Sequence, residues 1–276
     1  MNALLSSIND EQEFVPFVDR GAEEGRLHEA IRKRESLLIW GEPGAGKSAL
    51  VRRAISTMPE RIAGRCLYVS GAGSPQSMLR SVAEGLVDDP LFRTKWRADT
   101  GGGSFPRWVQ AQSSLRLRGL LYRAAGASQY WIFLEDMPAA SHMLARIIKE
   151  LMWNQKTPVY AIASSWTKRK LGHAAPLFWN DRLMLHVGPL SGNAARELLE
   201  LAIKRFGLFR FELEGFREDI LSFSGLMPGA IVRMCAAARD RHYHFEGRIK
   251  TRLLRVDYLL NQCEGRLDET ATAPSA

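Results

Sequence analysis

One segment near the N-terminus joins three glycines to a lysine and a hydroxyl residue at a spacing that suits phosphate chemistry. Glycine lets backbone N–H groups turn inward around an anion. A lysine at the end of such a loop can reach two phosphate groups, and the next hydroxyl can ligate a divalent cation. The segment matches the pattern GxxxxGK[ST] in full and, with the alanine that follows it, runs Gly41, Glu42, Pro43, Gly44, Ala45, Gly46, Lys47, Ser48, Ala49. It predicts a phosphate-binding loop centred on Lys47 and Ser48.

The residues on either side of this loop have the character that a nucleotide-binding loop needs. The apolar run 36–40 predicts a buried strand, and apolar residues in 49–58 recur at helical spacing. The N-terminus of that helix carries a partial positive charge and would point at the same anion. A structural glycine-rich turn is the alternative, but such a turn requires neither the buried strand before it nor the amphipathic helix after it. The context therefore favours binding of ATP with Mg²⁺.

Two adjacent acids supply a partner for the cation. Glu135 and Asp136 directly follow the apolar run 131–134, and ligand sites of α/β proteins form at the carboxyl ends of strands. One carboxylate would hold magnesium, and the other would orient and polarise an attacking water. By register, Glu135 would be the metal-side acid and Asp136 the base, and the reverse assignment stays open. An acidic strand end that only faces solvent is the alternative.

Short apolar runs alternate with helical patterns through most of the chain. Runs that are continuously apolar, rather than alternating, are typical of a parallel sheet covered on both faces. They predict five strands, at 36–40, 65–69, 130–134, 159–163 and 183–187. Residues 93–107 contain three consecutive glycines and a proline and predict a loop between helices. The fold class is therefore α/β, a doubly wound P-loop domain with a parallel five-stranded sheet.

After Pro189 the pattern changes to helices alone, which predicts a small all-helical lid domain after the α/β domain. The C-terminal residues are small and polar and predict a frayed end. The expected organisation is an N-terminal extension, the P-loop α/β domain, the helical lid domain and a disordered tail, at residues 1–13, 14–189, 190–267 and 268–276.

The composition is that of a basic protein without membrane-spanning character. The net charge of +8 favours an anionic partner such as nucleic acid, although a solvated basic surface is the plainer interpretation. No apolar run approaches the roughly 18 residues that predict a membrane span. Cys66, Cys235 and Cys263 are widely spaced, which favours buried thiols over a metal site or a disulfide. We expect a cytoplasmic protein that does not associate with membranes.

Together these motifs resemble the AAA+ and STAND group of ATPases, and most of all its origin-recognition-type and transposition-helper branches. The resemblance covers about residues 14–262. The segment Phe17-Val18-Asp19-Arg20 is similar to the family's FVGR box, with Asp19 in place of the usual glycine. Because that box packs near the adenine, the resemblance implies that Val18 contacts the nucleotide. The acid pair resembles a Walker B motif, but the family's usual order is Asp then Glu.

The resemblance also implies residues that sense the γ-phosphate. Ser164 or Ser165 stands where the family places sensor 1, and a simple strand-end serine is the alternative. Residues 224–233 resemble the sensor 2 region, but Gly229 replaces the family's arginine after the proline. Arg233, one helical turn later, is the nearby substitute. The family's arginine finger, supplied by a neighbouring subunit, would fall on Arg182, with Arg169 as a second candidate.

As a function, the resemblance implies ATP hydrolysis coupled to assembly of a homo-oligomer when ATP is bound. The basic segments 168–170 and 239–255 predict weak contact with duplex DNA, without sequence preference. A nucleotide-dependent adaptor that turns over slowly and recruits a protein partner is the second interpretation. A small-molecule kinase is the third, and it is disfavoured because two adjacent carboxylates suit water activation and the helical lid suits an AAA+ protein.

Overall fold

The computed structural model describes most of the chain, at residues 17–70, 73–127 and 129–260. The predicted N-terminal extension and C-terminal tail both lie outside the described residues. The described residues form two compact units. The first contains 20–42 and 47–187, and the second contains 17–19, 43–46 and 188–260.

A five-stranded parallel sheet is the centre of the first unit. Its strands are β1 (Leu37–Trp40), β2 (Cys66–Val69), β3 (Trp131–Leu134), β4 (Val159–Ala163) and β5 (Met184–His186). Their order is β2-β3-β4-β1-β5, with every pair parallel. Every residue of β3 and β4 is buried, as expected for strands covered on both faces. The predicted fold class and all five predicted strands are confirmed, with ends that differ by one residue at most.

Helices connect these strands in the way that a doubly wound sheet requires. They are α1 (Gly21–Lys33), α2 (Lys47–Ser56), α3 (Glu60–Ala63), α4 (Pro75–Glu84), α5 (Pro90–Thr100), α6 (Phe105–Ala111), α7 (Ser114–Ala127), α8 (His142–Lys149) and α9 (Lys168–Leu171). A π-helical turn, Glu150–Asn154, continues α8. Two 3₁₀ turns, Ala175–Phe178 and Asp181–Leu183, lead from α9 into β5.

The loop predicted at 93–107 is wrong, because α5 and α6 occupy most of this segment. Asp89 is buried and its carboxylate accepts hydrogen bonds from the N–H groups of Leu91 and Phe92, at 2.9 and 3.3 Å, which caps the start of α5. The glycines form only the short break between the two helices. Phe105 and Trp108 on α6 are buried, with ring centroids 5.6 Å apart. Burial of these aromatic side chains stabilises a segment whose glycines predict a loop.

The second unit has its own hydrophobic core, which includes Leu198, Phe216, Ile231 and Met234. Its helices are α10 (Gly192–Arg205), α11 (Glu214–Ser224), α12 (Pro228–Ala237) and α13 (251–260). A hairpin of β6 (His244–Phe245) and β7 (Arg248–Ile249) adds a two-stranded element to the helices that the sequence predicts. Its turn residues, Glu246 and Gly247, both have positive φ, as a type I′ turn requires.

The thiols of Cys66 and Cys235 are free and buried, as the sequence predicts, while Cys263 lies outside the described residues. Burial raises the pKa of both described thiols to about 12, so they stay protonated and unreactive at neutral pH. Within the described ranges, no helix has the combined length and apolar character that crossing a membrane demands.

Candidate nucleotide-binding site

The loop between β1 and α2 has room for glycine alone at its first position. A Cβ on Gly41 would lie 2.0 Å from the carbonyl oxygen of Val187, the residue that directly follows β5. Gly44 and Gly46 have φ of +86° and +91°, a region that side chains with a Cβ rarely adopt. These two constraints explain why the phosphate-loop pattern needs its glycines at these positions.

Lys47 is the first residue of α2, and its ammonium group folds back over the loop. Its Nζ donates hydrogen bonds to the carbonyl oxygens of Gly41 and Glu42, at 2.7 and 2.9 Å. Burial lowers the pKa of Lys47, and the negative charge of Asp136 acts in the opposite direction. The lysine therefore lies within electrostatic reach of Asp136.

The acid pair stands directly after the fully buried strand β3. The backbone N–H of Glu135 donates to the carbonyl oxygen of Val69 at the end of β2, at 2.8 Å. Its carboxylate lies 3.6 Å from the guanidinium of Arg52 on α2. Asp136 has φ of +47°, a strained value for a residue other than glycine, which turns the chain sharply after the strand. The two carboxylates therefore act on different cations, Glu135 on Arg52 through an ion pair and Asp136 on Lys47 through its charge.

Tyr68 on β2 is a site residue that sequence reasoning missed. Its hydroxyl is buried and makes no hydrogen bond within the described part of the chain. Burial, followed by the neighbouring Glu135 carboxylate, raises the pKa of Tyr68, while the Arg52 charge and then the Ser48 hydroxyl lower it. The Tyr68 hydroxyl therefore lies within electrostatic reach of both Ser48 and Glu135, two of the predicted metal ligands. The only sequence signal is a polar atom in an otherwise apolar strand.

The sheet order brings the predicted sensor 1 serine to the same edge. Strand β4 lies between β3 and β1, so Ser164, just after β4, follows the strand that separates the acid pair from the phosphate loop. Ser164 is exposed. Ser165 forms a local turn instead, because its hydroxyl donates to the Thr167 Oγ1 and accepts from the Thr167 N–H, both at 3.3 Å. Ser164 is therefore the better placed of the two candidates.

Arg233 on α12 lies beside the phosphate loop, within the second unit. The N–H of Gly229 donates to the carbonyl oxygen of Gly44 at 2.8 Å, and a Cβ on Gly229 would lie 2.9 Å from the Gly44 Cα. An arginine cannot fit at that position, which explains the departure from the family pattern. Arg233 Nη2 would be 3.5 Å from a Cβ on Gly44, and it donates to the Tyr258 hydroxyl at 3.2 Å.

The remaining predicted residues have less specific surroundings. Val18 packs against the core of the second unit. Asp19 has φ of +50°, a left-handed conformation that glycine adopts most easily, and its carboxylate accepts a hydrogen bond from the Ser191 hydroxyl at 2.6 Å. Arg182 is exposed in the 3₁₀ turn before β5, and Arg169 is exposed on α9.

Some basic side chains of the segment 239–255 form contacts within the protein. His244 Nε2 lies 2.9 Å from the carbonyl oxygen of Ala238, and its ring packs on Phe211 with centroids 4.3 Å apart. Arg248 forms two hydrogen bonds with the Glu212 carboxylate, at 2.7 and 3.2 Å. These contacts reduce the number of cations in the segment that can meet an external phosphate.

Comparison with solved structures establishes the fold. The Walker-type ATPase PABY2304 of Pyrococcus abyssi superposes with a TM-score of 0.61 at 14% identity, over 92% of this chain and 76% of that one. Cdc6p from Pyrobaculum aerophilum superposes with a TM-score of 0.55 at 12% identity, over 83% of this chain and 63% of that one. Both likenesses show that this chain shares the fold of these two proteins. No protein-family model and no curated protein matches the sequence.

Replacing Lys47 with alanine tests whether the loop is a nucleotide site. We expect Lys47→Ala to abolish tight ATP binding, because it removes the side-chain cation at the loop while leaving the glycine backbone in place. Titration calorimetry with ATP and magnesium measures the affinity, and circular dichroism checks the fold. The control is Lys95→Ala, which removes an exposed lysine on α5. Unchanged ATP affinity in a folded Lys47→Ala protein would contradict the assignment.

Proposed function

We propose that the protein binds ATP with magnesium at residues 41–49 and hydrolyses it. The observation that carries the proposal is the sheet order, by which Lys47 follows β1, and Glu135 and Asp136 follow β3, at the same carboxyl edge, with the charge of Asp136 acting on Lys47. Ligands of α/β proteins bind at this edge. The fold shared with a Walker-type ATPase supports the same conclusion.

The donor set suits magnesium. Mg²⁺ in nucleotide sites is held by one or two protein oxygens together with substrate phosphates and water. Ser48 and Glu135 both act on the buried Tyr68 hydroxyl, so a hydrated cation held by these two residues would lie near that hydroxyl. Magnesium would neutralise phosphate charge. Ser48 would ligate it, and Glu135 would hold it through water.

The other residues act on the phosphates and on the attacking water. The Lys47 ammonium would exchange its two carbonyl partners for the β and γ phosphates. The Asp136 carboxylate, near Lys47, would orient the water and accept its proton. Ser164 would donate a hydrogen bond to the γ-phosphate. Arg233, beside Gly44, would add positive charge near the phosphates in place of the family's sensor 2 arginine.

The proposal extends to self-assembly of the protein and to its binding partners. Binding of ATP would favour a homo-oligomer in which Arg182 of one copy reaches the site of the next, since Arg182 is exposed. The three adjacent cations on α9 would contact duplex DNA without sequence preference, in a cytoplasmic setting.

A slow switch that recruits a protein partner is the second candidate. One observation favours it: the residue assigned as base is an aspartate, one methylene shorter than the family's glutamate, and its backbone is held at φ of +47°. A shorter side chain on a fixed backbone reaches less far toward a water, which lowers turnover without weakening nucleotide binding. A turnover far below that of ordinary ATPases, with tight ATP binding, is the result that distinguishes this candidate.

Neutralising each acid separately tests the division of labour between them. We expect Asp136→Asn and Glu135→Gln to retain ATP binding but to lose turnover by about 10²-fold or more, because a water-positioning carboxylate acts in the transition state. Asp136→Asn should have the larger loss. Arg52→Gln is the matched control, since it removes the Glu135 ion pair and keeps the carboxylate. A larger loss in Glu135→Gln would reverse the two roles, and hydrolysis unaffected by either change would contradict the proposal.

Duplex DNA binding is tested by fluorescence anisotropy at low salt, with and without a non-hydrolysable ATP analogue. We expect weak binding that falls steeply with salt and is strengthened by the analogue, because an ordered array of subunits adds contacts along one duplex. Reversing the charge of Lys168, Arg169 and Lys170 together should remove most of it. The control reverses Arg93, Lys95 and Arg97, three exposed cations on α5. Equal losses in the two triple variants, or no binding in either condition, would exclude this partner.

A further inference from the structure

A pocket that the nucleotide site does not use lies on the first unit, at the end of β1 and in the segment between β4 and β5. Its volume is about 530 Å³, within the range of roughly 300–1,000 Å³ that is common for small-ligand sites. We call it the tryptophan pocket and define it by six of its lining residues, Trp40, Trp166, Lys168, Phe178, Trp179 and Asp181.

Two of the four aromatic side chains that line this pocket are exposed to an extent that folding alone does not explain. Trp179 is 74% exposed and Trp166 is 53% exposed. The Trp166 ring meets Trp40 edge to face, with centroids 6.5 Å apart, and Trp40 packs against His186 at 4.1 Å. Single exposed aromatic residues are common, but several around one concave surface are typical of a binding site.

The charges in the pocket discriminate between possible occupants. The centre of a protein–protein interface is enriched in aromatic residues and depleted of charged ones. Here Lys168 and Asp181 line the same pocket as the tryptophans, and Arg169 and Lys170 continue the cationic run along α9. An apolar side chain from a partner would cover these charges without pairing them, at a cost in desolvation.

An unpaired nucleobase on its strand could interact with the tryptophans, with Asp181 and with the cations of α9. Its flat face stacks on an indole ring, its polar edge can donate to the Asp181 carboxylate, and the phosphates of its strand pair with the α9 cations. In a duplex, by contrast, the faces of the bases are stacked on one another and cannot reach the indoles. We propose that the tryptophan pocket binds an unstacked base of single-stranded nucleic acid, with Lys168, Arg169 and Lys170 holding the adjoining phosphates.

This proposal goes beyond the nucleotide site and does not depend on ATP turnover. Contact of the α9 cations with duplex DNA needs only charge, whereas the tryptophan pocket needs an exposed base. The two proposals therefore fail separately: loss of the indoles should leave duplex binding unchanged, and loss of the cations should weaken the binding of both forms.

The experiment measures anisotropy of a labelled 12-nucleotide oligo(dT) with the full chain at low salt. The comparison ligands are a strand of equal length whose central residues are abasic and a duplex of the same length. We expect the intact strand to bind several-fold tighter than either, since the abasic strand keeps its phosphates and loses its bases. Trp166→Ala and Trp179→Ala should each weaken single-strand binding by about 5- to 150-fold.

Two further variants keep the result interpretable. Trp166→Phe retains an aromatic face and should recover most of the binding that Trp166→Ala loses. Trp153→Ala is the matched control, because Trp153 is 52% exposed and also has a lysine over its ring, Lys149 at 4.8 Å, but lies on another element. We expect its affinity to be within about twofold of wild type, as for a surface residue outside the site.

Several outcomes would overturn the proposal. They are absence of single-strand binding, equal affinity for the intact and abasic strands, or an equal loss in Trp153→Ala. Sedimentation of the same samples tests the other possible occupant of the pocket, which is a second copy of the chain. If Trp166→Ala and Trp179→Ala lose self-association and keep single-strand affinity, the tryptophan pocket is an interface between copies of the chain and not a nucleic-acid site.

Discussion

The parallel register of β1, β4 and β3 is the constraint on which the candidate site depends. Because the three strands are neighbours and run in the same direction, their carboxyl ends lie at one edge of the sheet. The residues that follow them are the phosphate loop, Ser164 and the acid pair. The alignment of the strands alone therefore brings these three groups to the same edge of the sheet. A single register error would move one group along the strand and separate the lysine from its carboxylate partner.

Close backbone approach is the second constraint, and it acts at two glycines. Gly41 leaves no room for a Cβ beside the Val187 carbonyl, and Gly229 leaves none beside Gly44. The contact at Gly41 fixes the start of the phosphate loop against Val187, the residue after β5. The contact at Gly229 explains a change in chemistry, since the arginine that the family places after the proline is sterically excluded and Arg233 stands beside the loop instead.

The sequence was most informative where one local pattern determined the structure. Five continuous apolar runs predicted the five strands, and the glycine pattern with its flanking strand and helix predicted the loop. The segment 93–107 was predicted wrongly because its three glycines are a local signal, whereas the aromatic residues on α6 pack in a core built from distant segments. The hairpin of β6 and β7 was not predicted, because strands of two residues are too short to show an alternating hydrophobic pattern.

Residues that act through neighbours distant in sequence could not be predicted. Tyr68 is distant from Glu135 in sequence, and the pairing of β2 with β3 brings it next to the strand that Glu135 follows. The tryptophan pocket joins residues from β1, α9 and a 3₁₀ turn in the same way. The roles of all the predicted site residues stay predictions, since position at the sheet edge or on the surface does not establish contact with a phosphate.

The most direct test of the account is the magnesium dependence of ATP affinity in wild type and in Ser48→Ala, with Ser165→Ala as the matched control. The account predicts that magnesium strengthens ATP binding to the wild type and to Ser165→Ala by about tenfold or more, equivalent to about 1.4 kcal/mol. Ser48→Ala should lose that gain and keep the magnesium-independent affinity that Lys47 provides. Equal affinity with magnesium and with a chelator in the wild type, or a full magnesium gain in Ser48→Ala, would contradict the claim that Ser48 and Glu135 hold the cation.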